Sequence, residues 1–236
     1  KSKSLFKRYA GDRAIGHVRY ATCGTDLRSF AQPFERHHGR KWKWFSFCFN
    51  GNIANYPELK KELLEKTDYH IVRDTDTEII MHSLAREIKG NEKPNLVDVF
   101  SNLAKILDGA YSICFMNADG DMVIARDPYG FKPLCYAMDD DVFLAASESN
   151  ALSSCGMKDI KYLEPGHLIL IQEGNISIHK FAESKRISHC FFEWIYFANV
   201  ASTLDDRSVY QTRQNLGKEL AKIETQKLDK DCIVVP

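Results

Sequence analysis

The sequence lacks any cysteine pair at C-x-x-C spacing. Its 7 cysteines (Cys23, Cys48, Cys114, Cys135, Cys155, Cys190 and Cys232) are odd in number and widely scattered. Several sit in apolar runs such as "SICFM" and "PLCYA", the usual surroundings of a buried free thiol, which argues for a reducing, cytoplasmic compartment. There is no surplus of charge. Lys plus Arg and Asp plus Glu both count 32, so nothing favours nucleic acid or an acidic membrane surface as a partner. No apolar run is long enough to cross a bilayer, and the opening "KSKSLFKRYAGD" holds no secretory apolar region. Internal repeats and low-complexity linkers are also missing. What these absences leave is a chain of 236 residues, 44% hydrophobic, with enough apolar mass for a substantial core.

β-prone runs recur along it: "KWKWFSFCFN", "GAYSICFMN", "DMVIARD", "PLCYAM", "DVFLAAS", "GHLILIQEG" and "NISIHKF". "NADGD", "MDDDV" and "QEGN" join three pairs of them as hairpins. Three helical stretches intervene. "PELKKELLEK" places Leu59, Leu63 and Leu64 on one face behind Pro57. "DTDTEIIMHSLAREI" opens with Thr75 and Glu78 at capping-box spacing and continues with Ile80, Leu84 and Ile88. "NLVDVFSNLAKIL" carries Leu96, Val99, Phe100, Leu103 and Leu107. Hairpins with segregated helices predict a layered α+β fold. From about residue 186 the pattern changes to an aromatic run, a helix in "SVYQTRQNLGKELAKIE", and "DCIVVP" with the look of a buried strand. This predicts two units, residues 1–185 and 186–236, the second being the start of an α/β domain.

Four stretches can carry chemistry. In "FNGNIANY" the ordinary reading of Asn50-Gly51 is a tight turn at positive φ. The alternative is an oxyanion hole, the Asn50 amide and the Gly51 N–H converging on one point where glycine lets a substrate approach the backbone. In "GHVRYATCGT" the Arg19 guanidinium can hold a carboxylate in two parallel bonds, with the Thr22 hydroxyl beside it; a surface arginine on a strand is the plainer reading. In "RDTDTE" Asp74, Asp76 and Glu78 suit a helix N-terminus by charge alone. One of them, if not needed for capping, can hold an ammonium group; the spacing of a calcium loop is absent. "RDPYGFKPL" and "AASES" read as structural. "ERHHGRKWKW" reads as a hairpin tip in which adjacent His37 and His38 point apart and make no metal pair.

Taken in order, "GHVRYATCG", "AQPF", "FNGNIANYPELK", "RDTDTE", "DGAYSI", "ARDPYGFKPL", "AASESNAL", "LEPG" and "CFFEWIYFANVASTLDDRSVYQTRQNLGKELA" resemble the class II glutamine amidotransferases. The likeness extends over most of residues 16–221, and the last stretch favours the branch that uses phosphoribosyl pyrophosphate in purine synthesis. The resemblance implies an N-terminal-nucleophile hydrolase fold: a four-layer αββα sandwich of two antiparallel sheets, followed by the beginning of a phosphoribosyltransferase-like domain. It implies that Arg19 and Thr22 bind the glutamine α-carboxylate, that Asp76 takes the α-ammonium, and that Asn50 and Gly51 form the oxyanion hole. A cysteine thiolate attacks the side-chain carboxamide, ammonia leaves toward phosphoribosyl pyrophosphate, and water releases glutamate.

In that family the nucleophile is the first residue of the mature chain, and its α-amine, titrating at about 8, is the base. This sequence begins at Lys1 and has no cysteine before Cys23. The expectation is that the opening strands with the nucleophile lie outside it and that the piece as it stands is inactive. Mg²⁺ is implied only for a phosphoribosyl pyrophosphate site beyond residue 236. Cys190 matches a position that ligates an iron–sulfur cluster in some members, with its other ligands also beyond residue 236, so no metal or cofactor is assigned to this chain. The partners implied are glutamine, phosphoribosyl pyrophosphate through the further domain, and further copies of the chain in a homo-oligomer. Two rival readings stay open at the level of sequence: a catalytically silent glutaminase-like binding module, and the glutaminase half of a sugar or asparagine amidotransferase.

Overall fold

The computed structural model describes residues 4, 7–19, 28–66, 69–226, 229–233 and 235. Thr22 and Cys23 lie outside the described residues. Nine of the strands form two antiparallel sheets. The larger contains β1 (Phe34–Arg36), β2 (Phe45–Ile53), β3 (Gly109–Asn117), β4 (Met122–Arg126), β8 (His167–Gln172) and β9 (Asn175–Lys180), in the order β1-β2-β3-β4-β8-β9. The smaller holds β5 (Cys135–Met138), β6 (Phe143–Ala146) and β7 (Lys161–Tyr162), in the order β6-β5-β7. The three hairpins expected from "NADGD", "MDDDV" and "QEGN" are β3–β4, β5–β6 and β8–β9.

The alternation of side chains along the strands builds the layers. Phe45, Phe47 and Phe49 of β2, Ile113 and Phe115 of β3, Val123 of β4 and Leu168 of β8 all face one side of the larger sheet. They pack there against Ile80, Leu84, Phe100 and Leu103, which belong to helices α2 (Asp76–Glu87) and α3 (Leu96–Ile106). Helix α1 (Tyr56–Lys66) joins the same layer through Leu59 and the buried Leu63. Leu64, expected on that face, is exposed; an eleven-residue helix with Leu59 and Leu63 inward has no room for a third apolar row. On the opposite side Ile124 and Ile169 meet Tyr136 and Phe143 of the smaller sheet. The far side of that sheet, with Cys135 and Ala137, is covered by Leu152 of α4 (Ser149–Ser154) and by Met157. The result is the four-layer αββα sandwich.

The Asn50-Gly51 turn is not formed. The whole of "FNGN" lies inside β2, which pairs with β3 from Phe45↔Asn117 to Ile53↔Gly109. The partner strand is not the next segment in sequence but one that arrives more than fifty residues later, so the local pattern misleads. The capping box of α2 is half realised. Thr75 accepts from the Glu78 N–H, while the Glu78 carboxylate accepts from the N–H groups of Val72 (2.9 Å) and Arg73 (2.5 Å).

From residue 186 the chain forms a π-helical turn (Glu193–Phe197), a hairpin of β10 (Thr203–Leu204) and β11 (Arg207–Ser208), and helix α5 (Val209–Ile223). It is locked to the sandwich by Arg126. That side chain, 1% exposed, donates to the carbonyls of Lys132, Leu163 and Gly130 and grips both oxygens of Asp205 at 2.7 and 2.8 Å. Within "DCIVVP" the described residues Cys232, Ile233 and Val235 are exposed and belong to no sheet.

At Gly51 a Cβ would overlap the Ala110 carbonyl oxygen of the neighbouring strand. Gly51→Ala is therefore expected to cost on the order of 3 kcal/mol as overpacking, read as a lower urea midpoint with an unchanged m-value.

Candidate functional site

The outer edge of β2 builds the site. In an antiparallel strand alternate residues turn both backbone groups to the same neighbour. The even residues of β2 serve β3, as the continuing bond from Ala54 N–H to the Asp108 carbonyl (2.7 Å) shows. Tyr111, opposite Gly51, turns its own backbone away, donating to Asp127 Oδ2 and accepting from Asp127 N–H at 2.8 Å. The odd residues of β2 therefore face the other way, toward β1. Phe45 and Phe47 pair there with Arg36 and Phe34. Beyond Phe34 the strand β1 has ended. Phe49 is met instead by the Gln32 side chain, which accepts from Phe49 N–H at 2.6 Å and donates to Phe49 O at 3.1 Å. Ile53 N–H donates to the Asp76 carboxylate. Between them, no hydrogen-bond partner is found among the described residues for Gly51 N–H.

That gap lies on the wall of a cavity of about 1420 Å³, larger than most small-ligand sites. Arg19, Asn50, Gly51 and Asp76 all line it. Arg19 lies with its guanidinium carbon 5.4 Å from the centre of the Phe30 ring. The Asn50 side chain points to the smaller sheet and donates to Ser147 Oγ at 3.3 Å. Ser147 belongs to "AASES", read from sequence as purely structural; only the approach of the second sheet makes it a wall residue.

The three acids of "RDTDTE" separate by environment. Asp74, in the left-handed region at φ 50°, is held by Lys60 and the Tyr56 hydroxyl, and Lys60 keeps its carboxyl below the ordinary range. Glu78, 1% exposed, is committed to the Val72 and Arg73 N–H groups. Asp76 remains. It accepts from Thr77 N–H (2.9 Å) and Ile53 N–H, yet burial outweighs these bonds and raises its carboxyl above the ordinary 3.8. No ion pair with a cationic side chain is found for it among the described residues. A half-buried carboxylate at a cavity wall, lacking a protein cation, is suited to a ligand cation.

Arg73 is a site residue that sequence reading missed. It lines the cavity, donates from Nε to Ser29 O at 2.7 Å and lies over the Phe34 ring. Its place at the end of an acidic run gave it no signal of its own. Gln32 was quoted only as part of "AQPF". The far side of the cavity is formed by Lys132, Glu148, Glu193 and Asn199. Lys132 pairs with Glu193 at 2.8 Å, and Glu148 accepts from Asn199 N–H and Ser202 Oγ, both at 2.7 Å.

Cys48 is two residues from Asn50, but its thiol approaches the Gly16 carbonyl at 3.5 Å and lies opposite Cys114 across the ladder. It does not line the cavity. His37 pairs with Glu35 and His38 accepts from Arg40 N–H, so the two histidines do point apart. Among the described residues no group of three or more His, Cys, Asp or Glu side chains is placed to hold a metal, and no helix is long and apolar enough to cross a membrane. The cavity thus offers a guanidinium for an anion, a carboxylate for a cation, and an amide and a peptide N–H for an oxygen that gains charge.

A family model described as "Glutamine amidotransferase domain" matches residues 17–154, from the segment holding Arg19 through the end of α4. The amidophosphoribosyltransferase of Archaeoglobus fulgidus is 36% identical over 217 residues, covering 92% of this chain and 46% of that protein. Its counterpart in Escherichia coli is 34% identical over 242 residues, covering 97% and 47%. The solved structure of glutamine phosphoribosylpyrophosphate amidotransferase from B. subtilis, complexed with ADP and GMP, gives a TM-score of 0.76 at 31% identity. It covers 89% of this chain and 44% of that one. The chain spans about half the length of the curated relatives it matches. On the family match, which takes in more than half of its residues, the chain belongs to the glutamine amidotransferase domain family.

Proposed function

We propose that this chain is the glutamine-hydrolysing part of an amidophosphoribosyltransferase, releasing ammonia from glutamine for transfer to phosphoribosyl pyrophosphate. The observation that carries the reading is the convergence of Arg19, Asp76 and the Asn50-Gly51 pair on one cavity from three separate places in the fold. A free amino acid has one carboxylate and one ammonium on the same carbon, and the cavity wall has one group for each. Arg19 holds the carboxylate as a fork. Asp76 takes the ammonium and regains the charge stabilisation that burial removes. The side-chain carboxamide then reaches the Asn50 amide and the Gly51 N–H, where its oxygen becomes negative as a thiolate adds to the carbon. Collapse of that intermediate expels ammonia and leaves a thioester, which water cleaves to glutamate. The nucleophile implied by the family resemblance is a cysteine with a free α-amine. The names of the relatives and their length support a second, phosphoribosyl pyrophosphate-using region, toward which residues 186–236 lead.

Glutamate release by the full-length protein, measured with and without phosphoribosyl pyrophosphate, tests this reading. Release stimulated by that compound supports it; no release under either condition overturns it. In the same protein Arg19→Ala is expected to raise KM for glutamine about 10- to 100-fold with little change in kcat, since a charge-assisted pair contributes about 1.5–3 kcal/mol to binding. Asn50→Ala is expected to leave KM and lower kcat by about 10²–10³.

Asp76 also sets a pH dependence. Its carboxyl in the free protein ionises above the ordinary 3.8, so on acidification it takes up its proton before an exposed carboxyl does. The neutral form does not attract an ammonium, so glutamine affinity is expected to fall as pH falls through that raised value. Asp76→Asn should bind glutamine weakly at every pH and lose this step. Because the raised value means that ionised Asp76 costs stability above it, the ligand-free variant should also be at least as stable as the parent at neutral pH. Calorimetric titration and thermal melts across the acid range check both.

A further inference from the structure

β1 pairs with β2 in the register Phe34↔Phe47, and continuing that register would set Gln32 opposite Phe49 and Phe30 opposite Gly51. The backbone ladder does not continue: β1 begins only at Phe34. The Gln32 side chain takes the place its own main chain leaves. Its amide supplies one acceptor, to Phe49 N–H at 2.6 Å, and one donor, to Phe49 O at 3.1 Å. This is the pair of bonds that a residue in a ladder would make. Phe49 is 4% exposed, so water does not readily substitute for either bond.

We propose that Gln32 is a positioning residue for the oxyanion hole, ending the strand ladder one residue before Asn50 so that Gly51 N–H is both unpaired and aimed. The proposal rests on the glutaminase reading. A backbone strand continuing past Gln32 would meet Gly51 and consume its N–H. With no contact at Phe49, the edge of β2 would be held only at Phe47 and Ile53, with a glycine between them, and edges of that kind readily bulge. A side-chain amide does what neither can. It fixes the Phe49–Asn50 peptide on the open side, while β3 fixes the opposite side through Asn50↔Ser112, and it stops there. Gln32 touches neither reacting atom in this scheme; it acts through the direction of the next N–H along the edge.

The experiment uses the full-length protein and three forms: parent, Gln32→Leu and Gln32→Glu. Leucine keeps the bulk and removes both bonds. Glutamate keeps the acceptor for Phe49 N–H and removes the donor, so it preserves the fold if leucine does not. An N–H displaced by a fraction of an ångström from the developing oxyanion is expected to cost about 10- to 100-fold. The expected result is that kcat for glutamate release falls by this factor in Gln32→Leu and by less in Gln32→Glu. KM for glutamine should stay within about twofold, because Arg19 and Asp76 are untouched. Amide hydrogen exchange at Phe49 should accelerate in Gln32→Leu. A kcat within threefold of the parent in both variants, or a loss confined to KM, overturns the proposal and leaves the glutaminase reading standing. Absence of glutamate release from the parent overturns that reading and this proposal with it.

Discussion

One peptide nitrogen, Gly51 N–H, without a partner among the described residues, organises the site. Along the outer edge of β2 different devices meet the N–H groups: strand β1 at Phe47, a side-chain amide at Phe49, a helix-start carboxylate at Ile53. Gly51 alone is left, with no partner among the described residues. A buried strand cannot leave a donor without compensation unless something else satisfies it. The arrangement therefore makes sense as a place for a ligand oxygen. The glycine is dictated by the same geometry, since β3 passes too close for a Cβ.

The charges around that nitrogen follow a division of labour. Acids and bases that maintain the fold are neutralised by the protein itself: Arg126 by Asp205, Asp74 by Lys60, Glu78 by two loop N–H groups, Lys132 by Glu193. Asp76 is not neutralised by any cation among the described residues and bears the cost of burial. Groups whose environment disfavours their charge are where a ligand of opposite charge gains most. The C-terminal segment joins this economy, because Glu193 and Asn199 both help to close the cavity and make hydrogen bonds with Lys132 and Glu148 of the sandwich.

Much of the architecture was readable from local pattern. The three hairpins announced themselves through turn residues, and α2 and α3 through the spacing of Ile80, Leu84, Ile88 and of Leu96, Phe100, Leu103. Local pattern gave a layered α+β fold; the four layers came from the family resemblance. Local pattern failed where the partner is distant. Asn50-Gly51 looks like a turn because its ladder partner, β3, comes only after three intervening helices. Leu64 looked inward because a leucine triplet suggests a wider face than α1 buries.

The sequence by itself determined the chemistry available: an arginine, a carboxylate and an amide–glycine pair in an order that marks the family, in a chain whose hairpins and helices make a layered α+β fold. It could not say which of Asp74, Asp76 and Glu78 is uncommitted, because the three share one composition and differ only in what surrounds them. Nor could it show Gln32 standing in for a strand, Arg73 and Ser147 at the cavity wall, or Gly51 N–H without a partner among the described residues. Those are properties of where one ladder stops relative to another. Hydrogen-bond saturation is settled by neighbours in space, and only the tertiary structure supplies them.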